Sequence, residues 1–198
     1  TDTSLHFDFI TGFSHPCGFD KSDIELQTAM YVDHFGKLPV CANMHYLRWA
    51  DWIEPAVWMM EEGIKSSNAH AHVLSKKLNP INEVGFAFGT SFPHFCYSDY
   101  KTGNKKLDFL QLPITAYEVG YEDDRVDQPT IEKALQLARH YSMIMNFFYH
   151  PVYIAKYPAC RQALDILLSL IKEQDIKALH SKPNEVTQWW IDRSSIKI

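Results

Sequence analysis

Apolar and polar residues alternate with two different periods along this chain, one typical of strands and one typical of helices. Residues 3–10 alternate with period two, and residues 38–44 form a short continuous apolar run. Over 22–35 the apolar positions follow near-helical spacing, after a capping box that opens at Ser22 and before a stop at Gly36. The chain is therefore predicted to begin as strand, helix and strand.

The same change of period continues to the end of the sequence. Pro55 lies inside the next helical pattern, so that helix should kink or start late, and Pro113 should interrupt a long strand. Later helices are predicted at 49–62, from about 129, at 163–171 and at 183–193, and later strands at 64–74, 84–90, 107–119, 144–149 and 176–179. Strands that alternate with helices are typical of an α/β fold with a parallel sheet, open or closed into a barrel.

The composition is that of an ordinary globular domain. With 198 residues, 46% hydrophobic and 22% charged, the chain fits a single domain over 1–198, and disordered or collagen-like classes are excluded. The net charge of −5 is mild and mixed in sign, so no basic surface for nucleic acid is expected. Asp165 and Lys172 bracket the most apolar helix, and we expect no membrane span.

The cysteines and the first residues bear on the compartment. Four cysteines lie far apart without a CxxC pair, which argues against a structural zinc site and favours reduced thiols in the cytoplasm. They are Cys17, Cys41, Cys96 and Cys160. The chain begins at Thr1 without an initiator methionine or a signal peptide, so we expect a fragment or a processed form, from which targeting information could have been lost.

Histidines follow several of the predicted strands. These strand ends carry His6 with Asp8, His45 with Tyr46, His70 or His72, His94, and His150. The carboxyl ends of parallel strands share one face of a barrel, so such residues converge even when they are distant in sequence. Imidazole and carboxylate groups bind zinc and other divalent ions, and both transfer protons. A metal or acid–base site is one interpretation, and half-buried structural histidines are the other.

The tryptophans admit a second alternative of this kind. Trp49, Trp52 and Trp58 lie at helical spacing, and Trp52 falls on the apolar stripe of the helix predicted at 49–62. Aromatic rings in such a stripe are more often packed in the core or at its rim than used as a platform for sugars. We therefore expect them to be packing residues.

Several short motifs, taken in order, have the form of one known enzyme family. They are Ser14-His15-Pro16, Gly36-Lys37-Leu38-Pro39-Val40, Asn43-Met44-His45-Tyr46, Leu110-Gln111-Leu112-Pro113, Phe148-Tyr149-His150-Pro151 and a stretch that ends in Trp189-Trp190. In this order they resemble the NodB-homology polysaccharide deacetylases over most of the chain. The resemblance implies a distorted (β/α) barrel that hydrolyses the amide of N-acetylated sugars with a divalent metal, which we expect to be zinc.

The resemblance also implies roles for individual residues. His15 matches the second metal histidine of the family and His6 is the candidate for the first, although they are nine residues apart where the family has four. His150 matches the general acid that protonates the leaving amine. Tyr46 stands at a strand end from which it can donate to the oxyanion, and Asp8 is the nearby carboxylate for the catalytic base.

Substrate contacts are expected from His45, Arg48, His94 and Leu112, which follow strands or lie in the loops beside them. The family's opening strand with its Asp-Asp pair has no counterpart here, so we expect a divergent member with an incomplete barrel. Exposed strand edges would then favour a homo-oligomer. The alternatives are a catalytically inactive barrel that binds glycans or a partner protein, and another metal hydrolase on a similar barrel.

Overall fold

Mixed α/β structure with parallel strands is present, as the periodicity predicts. The protein was analysed as a computed structural model, which describes residues 5–7, 20–71, 84–86, 89–121 and 126–196. It divides into two compact units. The first comprises Thr1–Ala69, Pro93–Leu112 and Ser181–Ile198, and the second comprises His70–Phe92 and Pro113–His180.

The elements have the following bounds. The strands are β1 (Leu5–Phe7), β2 (Cys41–Met44), β3 (Ser66–Ser67), β4 (His94–Tyr97), β5 (Lys106–Gln111), β6 (Ala116–Tyr117) and β7 (Phe147–Phe148). The helices are α1 (Lys21–Phe35), α2 (Glu54–Glu61), α3 (Gln128–His140), α4 (Pro151–Lys156), α5 (Pro158–Glu173) and α6 (Pro183–Ser195). Short 3₁₀ turns occupy His45–Leu47 and Tyr100–Thr102.

The first unit contains a sheet in the order β1-β2-β3-β5-β4. Its first four members are parallel, whereas β4 runs antiparallel to β5, with His94 opposite Gln111. His94 therefore begins a strand, whereas the predicted strand at 84–90 would leave it in the loop that follows. The pair is closed by Ser98, whose N–H donates to the Lys105 carbonyl at 2.8 Å and whose hydroxyl accepts from the Lys105 N–H at 2.8 Å.

The capping box of helix α1 opens two residues before the predicted one. Asp20 is the N-cap, and its carboxylate accepts from the Ser22 N–H at 2.8 Å and the Asp23 N–H at 3.2 Å. The Asp23 carboxylate accepts the Asp20 N–H in return. The box thus uses two aspartates rather than Ser22 and Glu25, since Asp20 already satisfies the first amides of the helix. The predicted stop is confirmed, with Gly36 left-handed at φ 68°.

Helix α2 starts late, at Glu54, with Pro55 in its first turn. This confirms one of the two outcomes expected from Pro55, because a proline in the first turn needs no amide hydrogen. Trp52 therefore precedes the helix, and the prediction that it packs on a buried stripe is wrong, since 74% of its surface is exposed.

The core of the first unit lies on both sides of its sheet. On one side, α1 and α2 contribute Ile24, Ala56 and Met59 to a cluster that also contains Phe109. The residues buried beside α6 are Cys41, Leu110 and Leu112, packed against Val186, Trp190 and Ile191. Helix α6 is further joined to β3 by the Ser66 and Thr187 hydroxyls, which are 2.7 Å apart. Its predicted span, 183–193, is confirmed within two residues.

The second unit contains the parallel pair β6–β7 and helices α3, α4 and α5. Its core includes four residues of α3 that the helical spacing predicts to be buried, Ile131, Ala134, Leu135 and Ala138. Three other predictions need correction. Helix α5 begins five residues before the predicted start, α4 was not foreseen, and the predicted strand at 176–179 is absent from a segment that the structure describes and in which Leu179 is 90% exposed.

Candidate active site at the ends of two parallel strands

The strands β6 and β7 bring two segments together that are thirty residues apart in sequence. Ala116 pairs with Phe147 and Tyr117 with Phe148. Just before the strands, the Thr115 hydroxyl donates to the Asn146 carbonyl at 3.0 Å and accepts the Asn146 N–H at 2.8 Å. The register is thereby fixed, and the residues that follow each strand must lie side by side.

Glu118 follows β6 in an unusual backbone conformation. Its φ is 50°, which is uncommon for a residue other than glycine. Its N–H still donates to the Phe148 carbonyl at 3.0 Å, and its own carbonyl accepts the Tyr121 N–H at 2.9 Å. Backbone strain of this kind persists only where the surroundings hold it in place, and it concentrates at functional sites.

Gly120 explains how this turn is held. It is also left-handed, at φ 86°, and a Cβ at this position would lie 2.5 Å from the backbone carbonyl of Ala159 at the start of α5. Only glycine combines this φ with so close an approach of two backbones. The turn that carries Glu118 is thus seated directly against the first turn of α5.

His150 follows β7 and is the N-cap residue of α4. Its backbone N–H donates to Glu118 Oε1 at 2.8 Å, and its ring Nδ1 is hydrogen-bonded to the same oxygen. The Glu118 side chain is 5% exposed and that of His150 is 35% exposed. A buried carboxylate therefore holds both the backbone and the ring of a half-exposed histidine, which fixes the ring's orientation and tautomer.

The second carboxylate oxygen, Glu118 Oε2, is buried and has no hydrogen-bond partner among the described residues. A buried acceptor that lacks a donor costs about 1–3 kcal/mol. Such orphans in native proteins are commonly satisfied by ordered water or are tolerated at sites of chemistry. The free oxygen makes Glu118 a candidate for a role beyond holding the His150 backbone.

Two aromatic rings lie against His150 within the second unit, and further rings pack beside one of them. The His150 ring lies 5.3 Å from Phe148, edge to face, and 5.1 Å from Tyr153. Tyr121 in turn lies 4.6 Å from Tyr153 and 5.0 Å from Tyr157. Aromatic faces stabilise a cationic ring and offer stacking surface to a ligand. Their phenol groups add hydrogen-bonding capacity at the rim.

This arrangement is suited to proton transfer. With Nδ1 committed to Glu118, a proton exchanged with a ligand would pass through Nε2. General acid–base catalysis by a histidine held in this way contributes about 10²–10⁴ in rate.

The structure brings His150 together with Glu118, a residue that the sequence analysis did not select. Glu118 falls within the long strand predicted at 107–119, which gives it no separate role. The signal that identifies it is a single acidic residue at the end of the apolar run 114–119, two positions before Gly120. That pattern marks a carboxylate at a strand end, where chemistry is commonly found.

Three other predicted residues cluster in the first unit after β2. His45 and Tyr46 belong to the 3₁₀ turn at His45–Leu47, and the Arg48 N–H closes that turn on the His45 carbonyl at 3.3 Å. His45 and Arg48 thus lie one turn apart beside the carboxyl end of β2. The side chain of Tyr46 lies outside the described part of the protein.

His94 and Leu112 also lie in the first unit, at the end of β5. The amino end of an antiparallel strand lies beside the carboxyl end of its neighbour, so His94 reaches this edge although β4 runs backwards. Leu112 follows β5 and is buried in the cluster beneath α6. It contributes to the core there, and its predicted contact with substrate stays a prediction.

The predicted metal residues fall largely outside the described residues. His6 lies in β1 with its backbone paired to Asn43, whereas its side chain, Asp8 and His15 are not described. Within 5–7, 20–71, 84–86, 89–121 and 126–196, no three His, Cys, Asp or Glu side chains form a group that could hold a metal ion. The described residues thus supply no ligand set for zinc.

The buried thiols are poor candidates for nucleophiles. Desolvation raises the pKa of Cys41 to about 12 and that of Cys96 to about 11. A nucleophilic cysteine needs the thiolate, which burial disfavours. Cys41, Cys96 and Cys160 form no disulfide in the part of the chain that the structure describes.

Comparison with models of known protein families and with curated proteins gave no match. None of the helices in the described ranges is both long enough and apolar enough to cross a membrane.

Proposed function

We propose that this chain is a metal-dependent hydrolase of the polysaccharide-deacetylase type, which removes acyl groups from N-acetylated sugars. The sequence motifs supply the resemblance, and the parallel α/β architecture is compatible with it. The observation that carries the proposal is the His150–Glu118 pair, since His150 is the residue that the resemblance makes the general acid.

In this proposal His150 gives a proton from Nε2 to the leaving amine of the substrate. Glu118 holds the ring in place through Nδ1, which is one role of the carboxylate in other acid–base pairs. Amine expulsion from a tetrahedral intermediate needs such a proton, because an unprotonated amide nitrogen is a poor leaving group. Tyr46 is the proposed oxyanion donor and Asp8 the proposed base.

The finer features of the proposal follow the same resemblance. The strands would form a distorted (β/α) barrel, and His6 and His15 would bind a zinc ion. Phe148 and Tyr153 would add stacking surface for the sugar beside His150, and His45, Arg48, His94 and Leu112 would supply further substrate contacts. We further propose a cytoplasmic protein that associates with copies of itself through exposed strand edges.

The test is release of free amine from an N-acetylated oligosaccharide by the purified protein with added zinc. H150A should lose about 10²–10⁴ in kcat. H140A is the matched control, because His140 is an exposed histidine at the end of α3. An H150A variant as active as H140A would overturn the role of His150. Stoichiometric zinc in the wild type that is lost in H15A would support the metal site.

A second candidate is a non-catalytic module that binds glycans. The rings of Phe148 and Tyr153 beside His150 favour it, together with Tyr121 and Tyr157, which pack against Tyr153, because stacked aromatic rings bind sugars without any chemistry. Glycan binding without amine release, unchanged in H150A, would identify this alternative. Measurable turnover in the wild type would exclude it.

A further inference from the structure

Three tryptophans in the first unit have different environments. Trp49 and Trp58 are partly buried and pack against the core cluster that contains Met59 and Phe109. Trp52 lies between them in sequence, yet 74% of its surface is exposed. Solvent exposure of so large an apolar ring is unfavourable, so core packing does not explain its position.

The backbone at Trp52 is held firmly in spite of this exposure. The Glu54 carboxylate accepts the Trp52 N–H at 3.0 Å and the Ile53 N–H at 2.8 Å through the same oxygen. The Trp49 indole N–H donates to the Trp52 carbonyl at 3.0 Å. These amide donors, that of Ile53 most of all, also lower the pKa of Glu54. The carboxylate therefore stays ionised near neutral pH and keeps its hydrogen bonds to the two amides.

The same connection carries backbone strain. Leu47 and Asp51 adopt left-handed conformations, with φ of 53° and 59°, although neither is a glycine. Each such residue costs of order 1 kcal/mol, and the hydrogen bonds of Glu54 and Trp49 hold the second one in place. The exposed Trp52 indole thus lies on a connection that is strained and held in place by hydrogen bonds.

The position of this connection indicates a ligand. It joins the carboxyl end of β2 to α2 in a parallel sheet, and ligands of α/β proteins bind at connections of this kind. His45 and Arg48, with polar side chains, belong to the same connection. An indole offers a flat apolar face and one N–H donor, which match the C–H face of a sugar ring and the oxygen of an N-acetyl group.

We propose that Trp52 is a stacking platform that binds one sugar ring of the glycan substrate. The proposal rests on the function proposed above, because it takes the ligand to be an N-acetylated glycan. Trp52 binds substrate in the ground state and the transition state alike, so it sets KM rather than kcat. Glu54 is a positioning residue that keeps the ring in place.

The test compares W52A, W52F and W189A. Trp189 is the control because it is another exposed tryptophan of the first unit, on α6, where Arg193 lies 5.4 Å from its ring. W52A should raise KM for an N-acetylated oligosaccharide by about 5- to 30-fold with kcat unchanged. W52F should recover part of this loss, and W189A should behave as the wild type.

Direct glycan binding, measured by calorimetry, separates failure of this inference from failure of the proposed function. Binding without turnover that is weakened in W52A would support Trp52 and refute the hydrolase. Turnover with an unchanged KM in W52A would refute Trp52 and leave the hydrolase standing. Absence of both binding and turnover would refute both. A W52A variant that changes only the oligomeric state would show that the ring binds another copy of the chain, and would also overturn the inference.

Discussion

Two polar pairs, one in each unit, join neighbouring elements in different ways. Ser66 on β3 and Thr187 on α6 are both fully buried, and the Thr187 hydroxyl also donates to the Pro183 carbonyl at 2.7 Å. Glu118 is equally hidden, but its partner His150 is 35% exposed. A neutral pair closed off from solvent can only join a strand to a helix. A buried charge paired with a reachable imidazole can transfer a proton.

The two pairs also differ in what they leave unsatisfied. The Ser66–Thr187 pair is connected to the backbone within its own unit, whereas Glu118 keeps an orphan oxygen and a left-handed backbone. Strain and an unmet hydrogen bond thus coincide at the second pair and are absent from the first. Functional sites commonly combine backbone strain with an unsatisfied buried polar group, because their residues are placed for chemistry at some cost in stability.

The largest effect is expected at Gly120. In G120A the new Cβ would meet the Ala159 carbonyl at 2.5 Å while the residue stays left-handed, so we expect a loss of about 3 kcal/mol or more in the free energy of unfolding. The turn would then move away from α5 and take Glu118 with it. Urea unfolding and the amine-release assay would measure the two consequences.

Gly103 provides the matched control in the first unit. It is left-handed as well, at φ 94°, but a Cβ there would meet only the flexible Lys105 side chain at 3.8 Å. G103A should cost only the backbone penalty of about 1–2 kcal/mol and leave turnover unchanged. Equal losses in G120A and G103A would show that the approach to Ala159 does not matter.

The second prediction concerns the asymmetry of the His150–Glu118 pair. H150A leaves the buried Glu118 carboxylate with the backbone N–H at position 150 but without the ring, and should cost about 2–4 kcal/mol. E118A leaves an imidazole that water can reach, together with one backbone amide, and should cost about 1–2 kcal/mol. Urea unfolding of the two single variants and of the double variant would give both costs and their coupling.

A larger loss of unfolding free energy in H150A than in E118A would indicate a functional pair, and the reverse order would indicate a structural one. If E118A proved more destabilising than H150A, the carboxylate would serve mainly to hold the His150 backbone. The coupling between the two side chains would then be small, because H150A keeps the backbone N–H that donates to Glu118 and the cycle cancels that contact.

The third prediction applies the same logic to the neutral pair. T187V should cost about 1–3 kcal/mol, because the Ser66 hydroxyl would be left buried without its partner. Replacement of both residues, in S66A/T187V, should be less destabilising than T187V alone, since no polar group then remains unsatisfied. Unfolding free energies of the single and double variants test this, and a double variant less stable than T187V would refute it.

Sequence periodicity predicted the class of fold better than its details. It found the helices that have one buried face, such as α3 and α6, because their spacing reports that face directly. It missed β4, because an antiparallel edge strand can form without a strong alternation of apolar and polar residues. It also gave a strand at 176–179, where an apolar run ends in the exposed Leu179.

The candidate site was predicted in part for similar reasons. His150 was found because it follows an apolar strand and carries a motif. Glu118 was missed because its function depends on a partner 32 residues away and on a backbone turn that only Gly120 permits. Trp52 was misplaced because helical spacing continues through residues that Pro55 keeps out of the helix.

The smallest effect is expected at Glu54, which holds the strained connection of the first unit. Backbone N–H groups, that of Ile53 first, lower the pKa of this carboxyl below its ordinary value of 4.5. A carboxyl with a lowered folded pKa contributes stability above its unfolded pKa and loses it as the pH falls through the folded value. E54Q should therefore cost about 0.3–1 kcal/mol near neutral pH and progressively less in acid.

Glu62 is the control for this pH dependence, because it ends the same helix and accepts neither the Trp52 nor the Ile53 amide. Urea unfolding of the wild type, E54Q and E62Q between about pH 7 and about pH 3.5 would test this. The difference in unfolding free energy between E54Q and the wild type should shrink as the pH falls, whereas the difference for E62Q should not. A constant difference across this range would mean that the amide contacts do not depend on charge. The strain at Asp51 would then be held by the Trp49 indole alone, and the first unit would need no ionised group to present Trp52.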